Sequence, residues 1–192
     1  MRILVGIALI LSVSVGVACK EHKRTSDDDG VQYGAEPGDL MAHMKDLRAA
    51  AKAGDTKKAS NLTMLLLPDD DDLHMALRED TDREFKKIAE LHRHFIPKTD
   101  FAAANMFGDR PEQSVIQIHG LTTESLARKG KSATHQEFPS SITKLAKTVL
   151  RPKMKYYEVE FLEPGQTVGT KYHLFFHNGK NWKMLGPIWR VL

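Results

Sequence analysis

Two histidines, His173 and His177, stand in the run "KYHLFFH", and two glutamates, Glu158 and Glu160, in "KYYEVEFL". Side chains alternate along an extended chain, so His173, Phe175 and His177 share one face of such a strand. If the two runs are neighbours in a sheet, a carboxylate such as Glu158 or Glu160 can orient a histidine. That pairing is a general acid–base device. His173, His177 and Glu158 are therefore the candidate catalytic residues. The same letters also describe polar residues on the solvated outer face of a sheet, where they would do no chemistry.

Eight of the 14 aromatic residues fall between Tyr156 and Trp189. Inward-pointing rings on a curved sheet can line an apolar pocket, and Tyr157, Phe161, Tyr172, Phe176 and Trp182 are the candidates. The competing reading is that these rings make the core. Other constellations are weaker. His92 and His94 in "HRH" are spaced i, i+2, which points them apart on a helix, and surface histidines are the better reading. The run "PDDDDLHM" has neither the glycine nor the alternating ligands of a calcium loop. The chain has no Ser–His–Asp arrangement, phosphate-binding loop or zinc signature, so no metal or cofactor is expected.

The elements that must position these residues change character along the chain. Leu40, Met44, Leu47 and Ala51 follow the helical period, and Gly54 ends that run. Asp55 can cap a second helix carrying Ala59, Leu62, Leu66 and Leu67, which stops before Pro68. A third apolar stripe runs over Leu73, Leu77, Phe85, Ile88, Leu91 or His92, and Phe95, with a break expected near Asp80. A short helix is expected around residues 101–107, then a strand at 114–120, a helical turn, and a helix at 140–150. The last forty residues read as a three-stranded antiparallel meander. Its turns fall at Pro164-Gly165 and Asn178-Gly179, with an interruption at Gly186-Pro187. The fold class is α+β, with helices first and a sheet after.

Ahead of this domain, "MRILVGIALILSVSVGVAC" sets one positive residue before an unbroken run from Ile3 to Ala18. A membrane-spanning helix needs ~20 apolar residues and a signal peptide only ~7–15, so the run fits an export signal over residues 1–18. Cys19 is the only cysteine, which makes an intramolecular disulfide impossible. Small residues followed by a lone cysteine resemble the bacterial lipoprotein signal. The resemblance implies cleavage before Cys19, acylation of its sulfur and amino terminus, and residence on the cell membrane or outer membrane. An ordinary secretory cleavage after Ala18 and an uncleaved anchor are the alternatives. Residues 19–38 are polar and read as a flexible tether carrying the lipidated Cys19. Residues 39–192 read as the folded domain.

Charge is uneven. Residues 20–100 hold 14 basic and 18 acidic residues, and residues 101–192 hold 13 basic and 7 acidic. Basic residues cluster from Arg128 to Lys155, and anionic headgroups or an acidic partner would suit them, although a solvated helix explains them as well. Nucleic acid is not an expected partner, because no recognition motif is present. Helices followed by a sheet ending in "NGKNWKMLGPIWRVL" resemble the NTF2-like, or SnoaL-like, α+β cone, with a cystatin-like domain as competitor. Gly179, Asn181 and Trp182 approximate the strand motif of many exported members. The resemblance implies helices packed into the concave face of a bent sheet and a pocket at the wide end. The expected function is a membrane-tethered, non-catalytic binding or scaffolding module for a small apolar ligand or an envelope protein. The alternative is a SnoaL-like isomerase or hydratase using a His–carboxylate pair.

Overall fold

The computed structural model describes residues 33–192 except 108, 109, 111 and 129. The leader, Cys19 and the tether up to residue 32 lie outside the described residues. Among the described residues five helices come first: α1 (Pro37–Lys52), α2 (Thr56–Leu66), α3 (Asp70–Ala76), α4 (Asp82–Phe95) and α5 (Asp100–Asn105). Strand β1 (Val115–Thr122) is followed by three short helices, α6 (Thr123–Leu126), α7 (Ala133–Glu137) and α8 (Ser140–Thr148). Strands β2 (Lys155–Leu162), β3 (Thr170–His177) and β4 (Trp182–Met184) complete an antiparallel sheet of order β1-β2-β3-β4. A 3-10 turn over Ile188–Arg190 follows the interruption at Gly186-Pro187. The architecture is α+β.

Local chemistry explains the helix starts. The Asp55 carboxylate accepts from the Lys58 N–H at 3.1 Å and opens α2. The acidic run that fails as a calcium loop is a capping box. Asp69 accepts from the Asp72 N–H at 2.9 Å, and Asp72 accepts from the Asp69 N–H at 3.1 Å. Asp72 also accepts from Asn178 Nδ2 at 2.5 Å and pairs with Lys183 Nζ at 2.9 Å, tying α3 to the β3–β4 hairpin. Burial pushes the Asp72 carboxyl up, but the Asn178 and Lys183 hydrogen bonds outweigh it and hold the group below its ordinary range. In that hairpin Gly179 takes a φ of 93°, and Asn178 Oδ1 accepts from the N–H groups of Lys180 and Asn181.

Helices cover both faces of the sheet. On one face Tyr157, Val159, Phe161, Phe175 and Trp182 pack against Leu40, Met44 and Leu47 of α1 and Leu62 and Leu66 of α2. On the other, Tyr156, Leu174 and Phe176 pack with Leu73, Ile88, Ile142 and Leu145. Consequently seven consecutive residues of β2, Tyr156 to Leu162, are buried. A solvated outer face is excluded for Glu158 and Glu160, which are 0 % and 2 % exposed.

The fold also reaches back into the stretch read as tether. Tyr33 is buried, its hydroxyl donates to Asp46 at 2.9 Å, and the Trp182 indole N–H donates to the Gly34 carbonyl at 2.8 Å. Phe95, expected in the buried stripe, is instead 48 % exposed at the end of α4, where Ile96 already turns extended before Pro97. His92 is buried while His94 is exposed with Nδ1 at 2.8 Å from the Glu90 carbonyl. Only one member of that pair is a surface histidine.

Candidate functional site

One irregularity in β3 organises the site. Tyr157 pairs with Phe175 and Val159 with Tyr172, so His173 and Leu174 together oppose Glu158 alone. This is a β-bulge, with Leu174 in the left-handed region at φ 60° and its side chain fully buried. The extra residue resets the alternation. His173 joins Glu158 on one face, while Phe175 and His177 lie on the other. His177 stands edge-on to Trp182 at 5.3 Å, with Nε2 3.4 Å from the Tyr33 carbonyl. The two histidines therefore do not share a face, and His177 takes no part in the site.

His173 Nδ1 lies 2.6 Å from Glu158 Oε2. A carboxylate accepts, so Nδ1 carries the proton and Nε2 is the nitrogen left for a neighbour. The imidazole also stands edge-on to Trp189, centroids 5.0 Å apart. Around this pair the same face collects further charge. Lys171 Nζ is 2.6 Å from Glu137 Oε2, 3.4 Å from Glu158 Oε1 and 3.8 Å from Glu160 Oε2. Burial alone would lower the lysine, but the Glu137 hydrogen bond and the Glu158 and Glu160 charges hold it above its ordinary value. The same hydrogen bond from Lys171 holds Glu137 below the usual carboxylate range. Glu160 Oε1 accepts from the Gly169 N–H at 2.8 Å. A Cβ at Gly169 would lie 1.9 Å from the Phe161 carbonyl oxygen, so only glycine brings that N–H so close. From β1, His119 pairs in register with Glu158 and joins the same face.

His173 and Lys171 also line a cleft of about 270 Å³ between the end of α4, β3 and the segment from Met184 to Arg190. Its walls are mainly apolar: Leu91, Phe95, Met106, Met184, Pro187 and Trp189. His92 lies in the wall as well. Burial pushes it down to about 4 despite its hydrogen bond with the Leu185 backbone, so it is neutral at pH 7.

Of the five expected pocket-lining rings, only Tyr172 borders this cleft, with its hydroxyl donating to the Met106 carbonyl at 3.1 Å. Tyr157, Phe161 and Trp182 fill the core on the α1–α2 face, and Phe176 fills the core on the other. The reason is the double cover of the sheet, which leaves neither face open to a pocket. The cleft forms at the sheet edge, where β4 stops after Met184. Sequence reasoning missed Lys171, Glu137, His119 and Trp189. The alternation that singled out His173 also carries Lys171, whereas Glu137 sits on a five-residue helix with no apolar period to betray it. Cys19 is outside the described residues, and among those described no helix is long and apolar enough to cross a membrane. No protein-family model, curated protein or solved structure matches this chain.

Proposed function

We propose that this chain is an envelope lipoprotein, acylated at Cys19, whose domain is an NTF2-like module that binds a small, largely apolar ligand in the edge cleft. The observation that carries the binding reading is the cleft itself. Its mainly apolar lining also carries His173, Lys171 and Arg190, which suits a ligand with a polar group on an apolar body. The order of helices before an antiparallel sheet supports the NTF2-like assignment, and the leader ending at Cys19 supports the anchor. On a membrane surface such a module would meet apolar molecules where they are most concentrated. The test uses the dye anilinonaphthalene sulfonate on the natively folded full chain. One dye per chain is expected, with binding lost in Trp189→Ala and kept in Trp182→Phe. Equal binding by both variants would refute the cleft as the site. For the anchor, Cys19→Ser should move the protein from the membrane to the aqueous fraction, and unchanged partitioning would refute acylation.

A second reading, acid–base catalysis of the SnoaL-like isomerase or hydratase kind, is favoured by the 2.6 Å His173–Glu158 contact. An imidazole whose Nδ1 is held by a buried carboxyl group presents Nε2 as a base. Its test is solvent-deuterium exchange into a panel of enolisable carbonyl compounds, followed by NMR. Exchange that survives His173→Ala would remove the histidine from any catalytic role.

A further inference from the structure

On the same sheet face, beyond the cleft, stand an imidazole and two carboxylates that the cleft does not use. We propose that His119, Glu137 and Glu160 bind a divalent first-row transition-metal ion, such as Zn²⁺ or Mn²⁺, displacing the Lys171 ammonium that now bridges the carboxylates. One donor atom from each of the three residues lies within 4.8 Å of the other two. Metal–ligand bonds of about 2.0–2.2 Å ask for donors slightly closer, so a small inward shift completes the site. Glu137 is the member able to make it. It ends a five-residue helix and its side chain is 27 % exposed, unlike the fixed strand residues.

A second observation is independent of the spacing. His119 Nε2 is buried without a hydrogen-bond partner among the described residues. A buried ring nitrogen left unpaired is costly, and a metal bond is one way to satisfy it. Charge supports the same conclusion. Glu137, Glu158 and Glu160 set three carboxylates against the Lys171 ammonium, and Glu158 Oε1, 3.4 Å from it, has no hydrogen bond among the described residues. A doubly charged ion satisfies these groups better than one lysine. The Gly169 N–H already fixes one oxygen of Glu160 and leaves Oε2 for the ion. One imidazole with two carboxylates suits zinc, manganese or iron, and contains none of the sulfur that selects copper(I). Lys171 has a flexible stem and borders the cleft, so it can swing aside.

The experiment titrates Co²⁺, and in parallel Zn²⁺, into the metal-stripped full chain. Visible absorption, bound stoichiometry and melting temperature are the readouts. The wild type should bind one Co²⁺ with a visible ligand-field band and melt higher with the ion present. His119→Gln and Glu160→Gln should each weaken binding at least tenfold, and Lys171→Met should tighten it about tenfold while removing the ammonium that competes. Binding unchanged in His119→Gln would assign the ion to other histidines and overturn the proposal. If the glutamine variants do not fold, wild type and Lys171→Met decide it. Absence of any metal-dependent rise in melting temperature in both would overturn the proposal, and a larger rise in Lys171→Met would support it.

Discussion

The two faces of the sheet share their strands and are both roofed by helices, yet they are filled differently. Against α1 and α2 the strands send Tyr157, Val159, Phe161 and Phe175, with Trp182 between them. On the other face Tyr156, Leu174 and Phe176 also meet an apolar core, but beside them the same strands send His119, Glu158, Glu160, Lys171 and His173. Apolar filling stabilises with no requirement for orientation, and each fully buried side chain contributes about 1.5–3 kcal/mol. Buried charge stabilises only when every member is matched, and an apolar replacement is often as stable. The cluster on the second face is thus poorly explained by stability alone, and this is where function should be sought.

The largest expected effect breaks the apolar face. Trp182→Ala removes a fully buried ring, its edge contact with Tyr157 at 5.2 Å and its hydrogen bond to Gly34. A loss of about 4 kcal/mol is expected, measured by urea unfolding, with the N-terminal segment at Tyr33 released first. A loss below about 1 kcal/mol would mean the face is not the stability core.

Acid attacks the two faces through different groups. Within the apolar half, His43 is 1 % exposed and stacks on Tyr33, with Nε2–H donating to the Leu62 carbonyl at 2.9 Å. Burial pushes it from 6.5 down to about 4, against that hydrogen bond and the Asp46 charge. His92, on the other side, is lowered to about 4 as well. The unfolded chain takes up protons below 6.5 that the folded chain refuses until about 4. Stability is therefore full above about 6.5 and falls as pH drops toward 4, by up to about 3 kcal/mol for each histidine. In His43→Gln, whose amide can still donate to Leu62, the pH slope between 6 and 4.5 should fall by about half. An unchanged slope would show that His43 is already protonated in the fold.

Lys171→Met breaks the polar face with a smaller effect. Removing one partner of a buried charge pair commonly costs about 3–5 kcal/mol. Here about 2 kcal/mol is expected without metal, because Glu137 is partly solvated and Glu158 keeps His173. The deficit should shrink as pH falls and the abandoned carboxylates take up protons. A deficit independent of pH would mean that the lysine acts through packing of its stem.

How far these faces could be read from sequence depends on distance along the chain. The helix cap at Asp55, the stop before Pro68 and the meander from Lys155 onward all rest on neighbouring residues, and they are legible. That a histidine of β3 could meet a glutamate of β2 was legible too, because strands joined by a hairpin lie side by side, but which histidine and which glutamate depends on the register. What stayed hidden depends on partners far away. The bulge at Leu174 is a shift in the register between β2 and β3, and it reverses the side on which His177 falls. The second helical roof conceals Glu158 and Glu160, which read equally well as solvated residues. Glu137 enters the cluster only because a loop of thirty-odd residues between β1 and β2 folds back over the sheet.

The smallest effect on stability gives the sharpest contrast between the faces. His173→Gln and His177→Gln each replace a partly buried imidazole with few polar contacts: 2.6 Å to Glu158 for His173, and 3.4 Å to the Tyr33 carbonyl and 3.1 Å from the Gly179 N–H for His177. Each should cost about 1 kcal/mol, the ordinary net value of one such interaction. They should differ in the cleft. His173→Gln changes a polar group that lines it and should weaken dye binding several-fold, whereas His177→Gln, on the far face, should leave it unchanged. Equal loss in both would mean that binding follows overall stability, and that the bulge at Leu174 does not divide a structural histidine from a functional one.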